Sequence, residues 1–332
     1  MTTPPRSMPK DDPTPARGLR IPDPLDGFQR SGQADMKARL GAAFSQLGRK
    51  GHAVGLYEQA LQGYRAANDR ERQAITLLNL GLAYWAQGEA EKSLEALREG
   101  MLLYRVLGNH RGEADALNCL GLICYERGSY AQAVAYFEQA LAMLWELGER
   151  KVEADTLDVI GMAQRKQGRL ADSEDAHRAA LKIRQALHDR EGEAATRHAL
   201  AMLYEARGQP ERAVAYYEWA VRVRQQIGDR AGEAVSAYNL ARLYETMGFL
   251  QEAEALLARV VEIETRLGHP DLPRDEAALA ELRRRRRDAG LAMPDEDTRT
   301  YERPDEELLD ETRPSPRPPT GELKRPDFDA PD

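Results

Sequence analysis

A nine-residue motif returns six times in this chain at a constant spacing of 40 residues. It reads LGAAFSQLG at 40–48, LGLAYWAQG at 80–88, LGLICYERG at 120–128, IGMAQRKQG at 160–168, LAMLYEARG at 200–208 and LARLYETMG at 240–248. The second position is always small: Gly41, Gly81, Gly121, Gly161, Ala201 and Ala241. A second small column keeps the same step at Ala53, Ser93, Ala133, Ser173, Ala213 and Ala253. Six copies without a slip mean that one supersecondary unit is stacked on itself, since a single unit cannot bury its own apolar face. Each copy reads as helix, turn, helix, turn. The Gly ending each motif (48, 88, 128, 168, 208, 248) supplies the left-handed residue that stops a helix. Asp69, Asn109, Glu149, Asp189 and Asp229 mark the second turn, where an acid or amide complements the start of the next helix. Two helices of about 17 residues, each about 25 Å long, account for the period. The small columns mark where paired helices approach closely.

Composition confines this regular part to the middle. Of the 18 prolines, seven lie at or before Pro24 and eight at or after Pro294. The formal charge is −8, and residues 291–332 hold thirteen Asp/Glu against six Lys/Arg. The body is therefore close to neutral and gives no reason to expect a phosphate-binding surface, so nucleic acid is not an expected partner. Cys119 and Cys124 lie about 140° apart on one helix, an arrangement unsuited to a disulfide. They read as small buried apolar residues in a reducing compartment. The first 18 residues have no apolar core of a leader, and no run of 18 apolar residues occurs. The expectation is a cytoplasmic protein with no membrane partner.

The repeat resembles the tetratricopeptide repeat in its 40-residue form. The resemblance rests on Leu80, Gly81, Tyr84 and Ser93 in the second copy, and on Leu200, Ala201, Tyr204, Ala213, Tyr217 and Ala220 in the fifth. The early Trp of that pattern is replaced by Leu77, Leu117 or Leu157, and the closing Pro is missing. The resemblance implies an all-α fold: a right-handed α-solenoid of six helix-turn-helix repeats with a C-terminal capping helix and disordered tails. The organisation expected is a tail at 1–28, repeats at about 29–68, 69–108, 109–148, 149–188, 189–228 and 229–270, a cap at 271–290 and an acidic, Pro-rich tail at 291–332.

The resemblance also implies that the first helix of each pair lines an inner groove. The residues six, three and two before the small position, and one and four after it, would face that groove. In the second copy these are Ile75, Leu78, Asn79, Leu82 and Trp85; in the third, Asp115, Asn118, Cys119, Leu122 and Tyr125. The later copies add Asp155, Asp158, Met162 and Arg165, then His198, Met202 and Glu205, then Asn239, Arg242 and Glu245. One end of the groove is apolar with a Trp and a Tyr; the other is mixed and charged. In the longer-repeat family an Asn at the place of Asn79 and Asn239 holds the backbone of a bound peptide, a task suited to a group that both donates and accepts. The clamp by which some relatives grip a chaperone C-terminus does not fit, because its five positions hold Ala38, Ala42, Asn79, Asp115 and Cys119.

Catalytic signatures are missing: there is no GxSxG, GxxxxGK, GxGxxG or HExxH. The six histidines show no i, i+4 pair, so no metal or other cofactor is expected. The reading is a non-enzymatic scaffold or adaptor that binds a protein or peptide in its groove. The alternative is a regulatory sensor whose groove takes a signalling peptide and modulates a kinase or transcription pathway. Relatives of that kind carry an extra domain in front, and only about thirty residues precede the first copy here.

Beyond Pro273 the run RDEAALAELRRRRRDAG reads as the capping helix, with Ala278 and Leu282 covering the last copy. Its arginines, 283–287, occupy all helix faces and suit a helix C-terminus. The acidic run YERPDEELLDE at 301–311 is an internal candidate to dock there, and Pro316 and Pro319 form a weak PxxP pair.

Overall fold

The computed structural model describes residues 33–288, and among them there are thirteen helices and no strand. In chain order they are α1 (Gln33–Gln46), α2 (Lys50–Ala66), α3 (Arg70–Ala86), α4 (Ala90–Val106), α5 (His110–Glu126), α6 (Tyr130–Leu147) and α7 (Arg150–Lys166). There follow α8 (Leu170–Ala186), α9 (Arg190–Ala206), α10 (Pro210–Ile227), α11 (Arg230–Met247), α12 (Leu250–Leu267) and α13 (Leu272–Asp288). First helices begin at Arg70, His110, Arg150, Arg190 and Arg230, the 40-residue step of the sequence. The fold is an all-α solenoid of helical repeats. Contacts group the helices into two compact units that divide inside α8, between Ala176 and His177. In the first unit α1 to α7 each pack on their chain neighbour, and α3 also touches α1 and α5. In the second, α9 to α13 pack in the same sequential way.

Every turn reverses through a left-handed residue. Glycine takes that place at 48, 88, 128, 168, 208 and 248, between the helices of a pair. Between pairs it is glycine at 108, 148, 228 and 268, but Asn68 (φ 56°) and His188 (φ 54°) occupy it in the other two turns. The acid and amide column then opens the next helix. Asp69, Asn109, Asp189 and Asp229 accept hydrogen bonds from the backbone N–H of Arg72, Gly112, Gly192 and Gly232. Glu149 makes no such bond and reaches Arg111 instead, 2.5 Å away.

The small columns are the core of each pair. Ala53, Ser93, Ala133, Ser173, Ala213 and Ala253 are all fully buried. In the first column, a Cβ on Gly81 would lie 2.6 Å from Leu97, and one on Gly41 would lie 3.1 Å from the Tyr57 ring. Side chains of the second helix occupy the volume that a methyl group would need.

The two ends differ. Leu40 belongs to a column whose other members, Leu80, Leu120, Ile160, Leu200 and Leu240, are at most 4% exposed, yet it is 43% exposed. Met36 on the same helix is 56% exposed. At the other end α13 packs on α12 through Leu279 and Leu282, both buried. Leu279, rather than the expected Ala278, partners Leu282, because Ala278 is only half covered. Arg283 and Arg286 both hold Glu254, at 3.0 and 2.7 Å; Arg284 holds Glu281 at 2.8 Å and Arg285 pairs with Glu245. The arginine run is thus largely engaged by the body's own carboxylates. The acidic run at 301–311 lies outside the described residues, as do both expected tails.

Candidate functional site

On α3, α5 and α7 the residues one and four after the small position, Leu82, Trp85, Leu122, Tyr125, Met162 and Arg165, are half-buried. Ile75 is half-buried too. Ile75, Leu82 and Trp85 pack on the core formed by Leu78, Cys119, Leu120 and Ile123, with Leu94 and Leu97 behind them. Leu122 and Tyr125 pack on Cys124, Phe137, Val159 and Ile160, and Tyr125 meets Tyr130 edge to face at 5.4 Å.

Ten residues expected on the groove wall are buried instead: Leu78, Asn79, Asp115, Asn118, Cys119, Asp155, Asp158, His198, Met202 and Asn239. The cause is angular. Leu78 lies about 60° around the helix from Gly81, so it turns toward α4, where a Cβ on Gly100 would be 2.7 Å from it. Two of the amides reach across to another repeat. Asn118 Nδ2 donates to Thr156 Oγ1 on α7 at 3.3 Å, and Asn239 Nδ2 meets His198 Nε2 on α9 at 3.4 Å. The Thr156 hydroxyl itself donates to the Val152 carbonyl, so its oxygen can only accept from Asn118. That fixes the Asn118 amide and leaves its Oδ1 buried without a hydrogen-bond partner. Asn79 Nδ2 is likewise buried without one.

Arg242 pairs with Glu205, which also accepts from the Tyr217 hydroxyl at 3.4 Å. Cys119 is buried, and burial followed by the nearby Asp115 carboxylate pushes its thiol up to about 12. Burial also raises Cys124. Neither is a reactive thiolate, and both are free cysteines.

Sequence reasoning missed a buried polar set in the second unit. Arg224 is fully buried; its Nη1 donates to the Gly232 carbonyl at 2.9 Å and to Ser236 Oγ at 2.6 Å. Ser236 Oγ also lies 2.9 Å from His198 Nδ1. Arg184 repeats the arrangement by donating to the Gly192 carbonyl. The available signal was a column that changes character, running Tyr64, Tyr104, Leu144, Arg184, Arg224 and Glu264. Tyr104 covers Gly112 as Arg224 covers Gly232, with Cβ positions at those glycines 2.4 and 2.8 Å from the covering side chains.

Profiles of the tetratricopeptide repeat match residues 38–71, 72–144, 153–226 and 234–271. The chain belongs to the tetratricopeptide-repeat family. Among solved tetratricopeptide-like folds it is similar to BtubC (BKLC) from P. vanneervenii, with 20% identity, a TM-score of 0.56, and coverage of 68% of this chain and 91% of that one. It is also similar to the apo form of RapI (13% identity, TM-score 0.56, 72% and 87% covered). A third is a Rap protein complexed with Competence and Sporulation Factor (15% identity, TM-score 0.53, 78% of each chain). At these identities the likeness is one of fold. No curated protein matches the sequence. Among the described residues no helix is long and apolar enough to cross a membrane, and no group of three or more His, Cys, Asp or Glu could hold a metal ion.

Proposed function

We propose that the chain is a non-catalytic protein-interaction scaffold, and that the first-helix face of its first unit holds an extended or helical segment of a partner protein. The observation that carries this reading is one face shared by α3 and α5, where Leu82, Trp85, Leu122 and Tyr125 offer half-buried apolar surface to the side chains of a partner segment. Asn79 and Asn118 on the same helices are buried. Ile75, Met162 and Arg165 extend the same face, and in the second unit Met202, Asn239 and Arg242 occupy the corresponding positions. We place the protein in the cytoplasm, where the free thiols suit a reducing medium.

The test is a peptide selected from a random displayed library against the full chain, followed by titration. Trp85→Ala should weaken the selected peptide by about 2 kcal/mol or more, as aromatic anchors do. Tyr125→Ala, on the same face, should weaken it too. Selected peptides that bind the double variant as tightly as wild type would place binding elsewhere.

A second reading is a regulatory sensor that takes a short signalling peptide. It is favoured by the fold likeness to a Rap protein solved with Competence and Sporulation Factor. Under that reading the selected peptide would release or recruit a second protein; a scaffold would show simple competition for one groove.

A further inference from the structure

Among the described residues the repeat array begins with an open joint. On α1 the residues Met36, Arg39, Leu40 and Ala43 form one helical stripe, and all four are exposed. In the five later copies every member of these four columns is buried, none more than 4% exposed. What covers them is the second helix of the preceding copy. Leu80 and Ala83 pack on Val54, Tyr57 and Leu61 of α2, and Leu120 and Ile123 pack on Leu94 and Leu97 of α4. Among the described residues α1 has no such helix before it.

Arg39 sets the chemistry of this face. Its column holds Asn79, Cys119, Val159, Ala199 and Asn239 in the later copies, none of them charged. Lys37, half-buried, stands two residues away. Neither cation forms an ion pair among the described residues. The arginines of α13 differ in this respect, since Glu254, Glu281 and Glu245 hold them. A segment that fits α1 therefore carries apolar side chains next to carboxylates. The chain contains one outside the described residues: 305–311 reads Asp-Glu-Glu-Leu-Leu-Asp-Glu, two adjacent leucines among five acids.

We infer that the open face of α1 is the docking site for the acidic segment of a second copy of this chain. Leu308 and Leu309 cover Met36, Leu40 and Ala43, and the flanking carboxylates pair with Arg39 and Lys37. Six repeats separate α1 from the acidic segment along the chain, so the occupant comes from another molecule. A two-fold pairing of α1 with α1 suits the face less well. Arg39 lies in the middle of its stripe and would meet its own symmetry mate, a like-charge contact. The association is thus heterologous, the face of one copy taking the tail of the next, and it can pass from copy to copy.

The experiment is sedimentation velocity of the full chain over a wide concentration range, with circular dichroism to confirm that each variant is folded. The average mass should rise with concentration, and added salt should suppress the rise because the charge pairs are exposed. Arg39→Glu should weaken association at least about tenfold, and Leu308→Ser/Leu309→Ser should weaken it comparably. Mixing those two variants is the decisive arm. One still has the tail and the other still has the face, so the mixture should recover a complex that stops at a dimer. Trp85→Ala should associate like wild type, which separates this contact from the groove on α3 and α5. A mass independent of concentration would overturn the inference, whether the chain stays alone or docks its own tail. Undiminished association of either variant, or a mixture that forms no complex, would overturn it as well.

Discussion

The ring of Phe137 stands where Gly121 would need a side chain. A Cβ built on Gly121 falls 2.5 Å from Phe137 Cε1, and Phe137 is fully buried between α5 and α7. The ring cannot retreat into solvent, so the glycine is required by its partner and not by the backbone of α5.

Gly121→Ala should therefore destabilise the fold even though alanine is the better helix former. Overpacking of this kind costs about 1–3 kcal/mol, partly offset by about 1 kcal/mol of helix propensity. The melting temperature should fall, and a Gly121→Ala/Phe137→Leu double variant should recover part of the loss. If Gly121→Ala melted higher than wild type, the close approach would not be a constraint.

His188 gives the opposite expectation. It is exposed and takes a left-handed conformation at a place where Gly108, Gly148, Gly228 and Gly268 stand in other copies. A side chain costs about 1–2 kcal/mol in that region, while glycine adds about 0.5–1 kcal/mol of unfolded-state entropy. His188→Gly should stabilise by roughly 0.5–1 kcal/mol, read as an increase in the denaturant midpoint at unchanged slope. Asn68→Gly should gain less, since asparagine tolerates the left-handed region.

Acid should weaken the second unit through Glu233. This carboxylate is fully buried. Burial alone would raise its pKa, but hydrogen bonds from Arg259, Arg230 and Gln225 outweigh burial and hold it below the usual carboxylate range. With the folded value lower than the unfolded one, the stabilisation is complete above the unfolded value of about 4.3. It is lost as pH falls through the folded value. Glu254, held by Arg283 and Arg286, acts in the same direction. Glu233→Gln should cost about 1.5–3 kcal/mol at neutral pH and flatten the fall in melting temperature between pH 5 and 3. Parallel curves for the two proteins would show that Glu233 does not report the acid transition.

The parts of this fold that were legible in the sequence are those set within one repeat. The buried small column of Ser93 and Ala133 returns in every copy, and the Asp229 cap on Gly232 has counterparts at Asp69, Asn109 and Asp189, because helix pairing and helix starts impose them locally. Glu149 broke the pattern because its longer side chain makes no bond to the start of its helix. The candidate site was only half legible, because its surroundings come from neighbouring copies. Asn79 and Asn239 share a column, yet Asn239 has His198 to bond across the joint and Asn79 Nδ2 has no bonding partner. No count along the chain distinguishes them.

Leu40 has one more consequence. Its column is buried in every later copy, and on α1 it is left open. A forty-residue duplication spliced ahead of Gln33 would bring a second helix already shaped to receive that leucine. The same duplication placed after α12 would have to displace α13 and break the hold of Arg283 and Arg286 on Glu254. Longer engineered arrays are therefore best grown from the front.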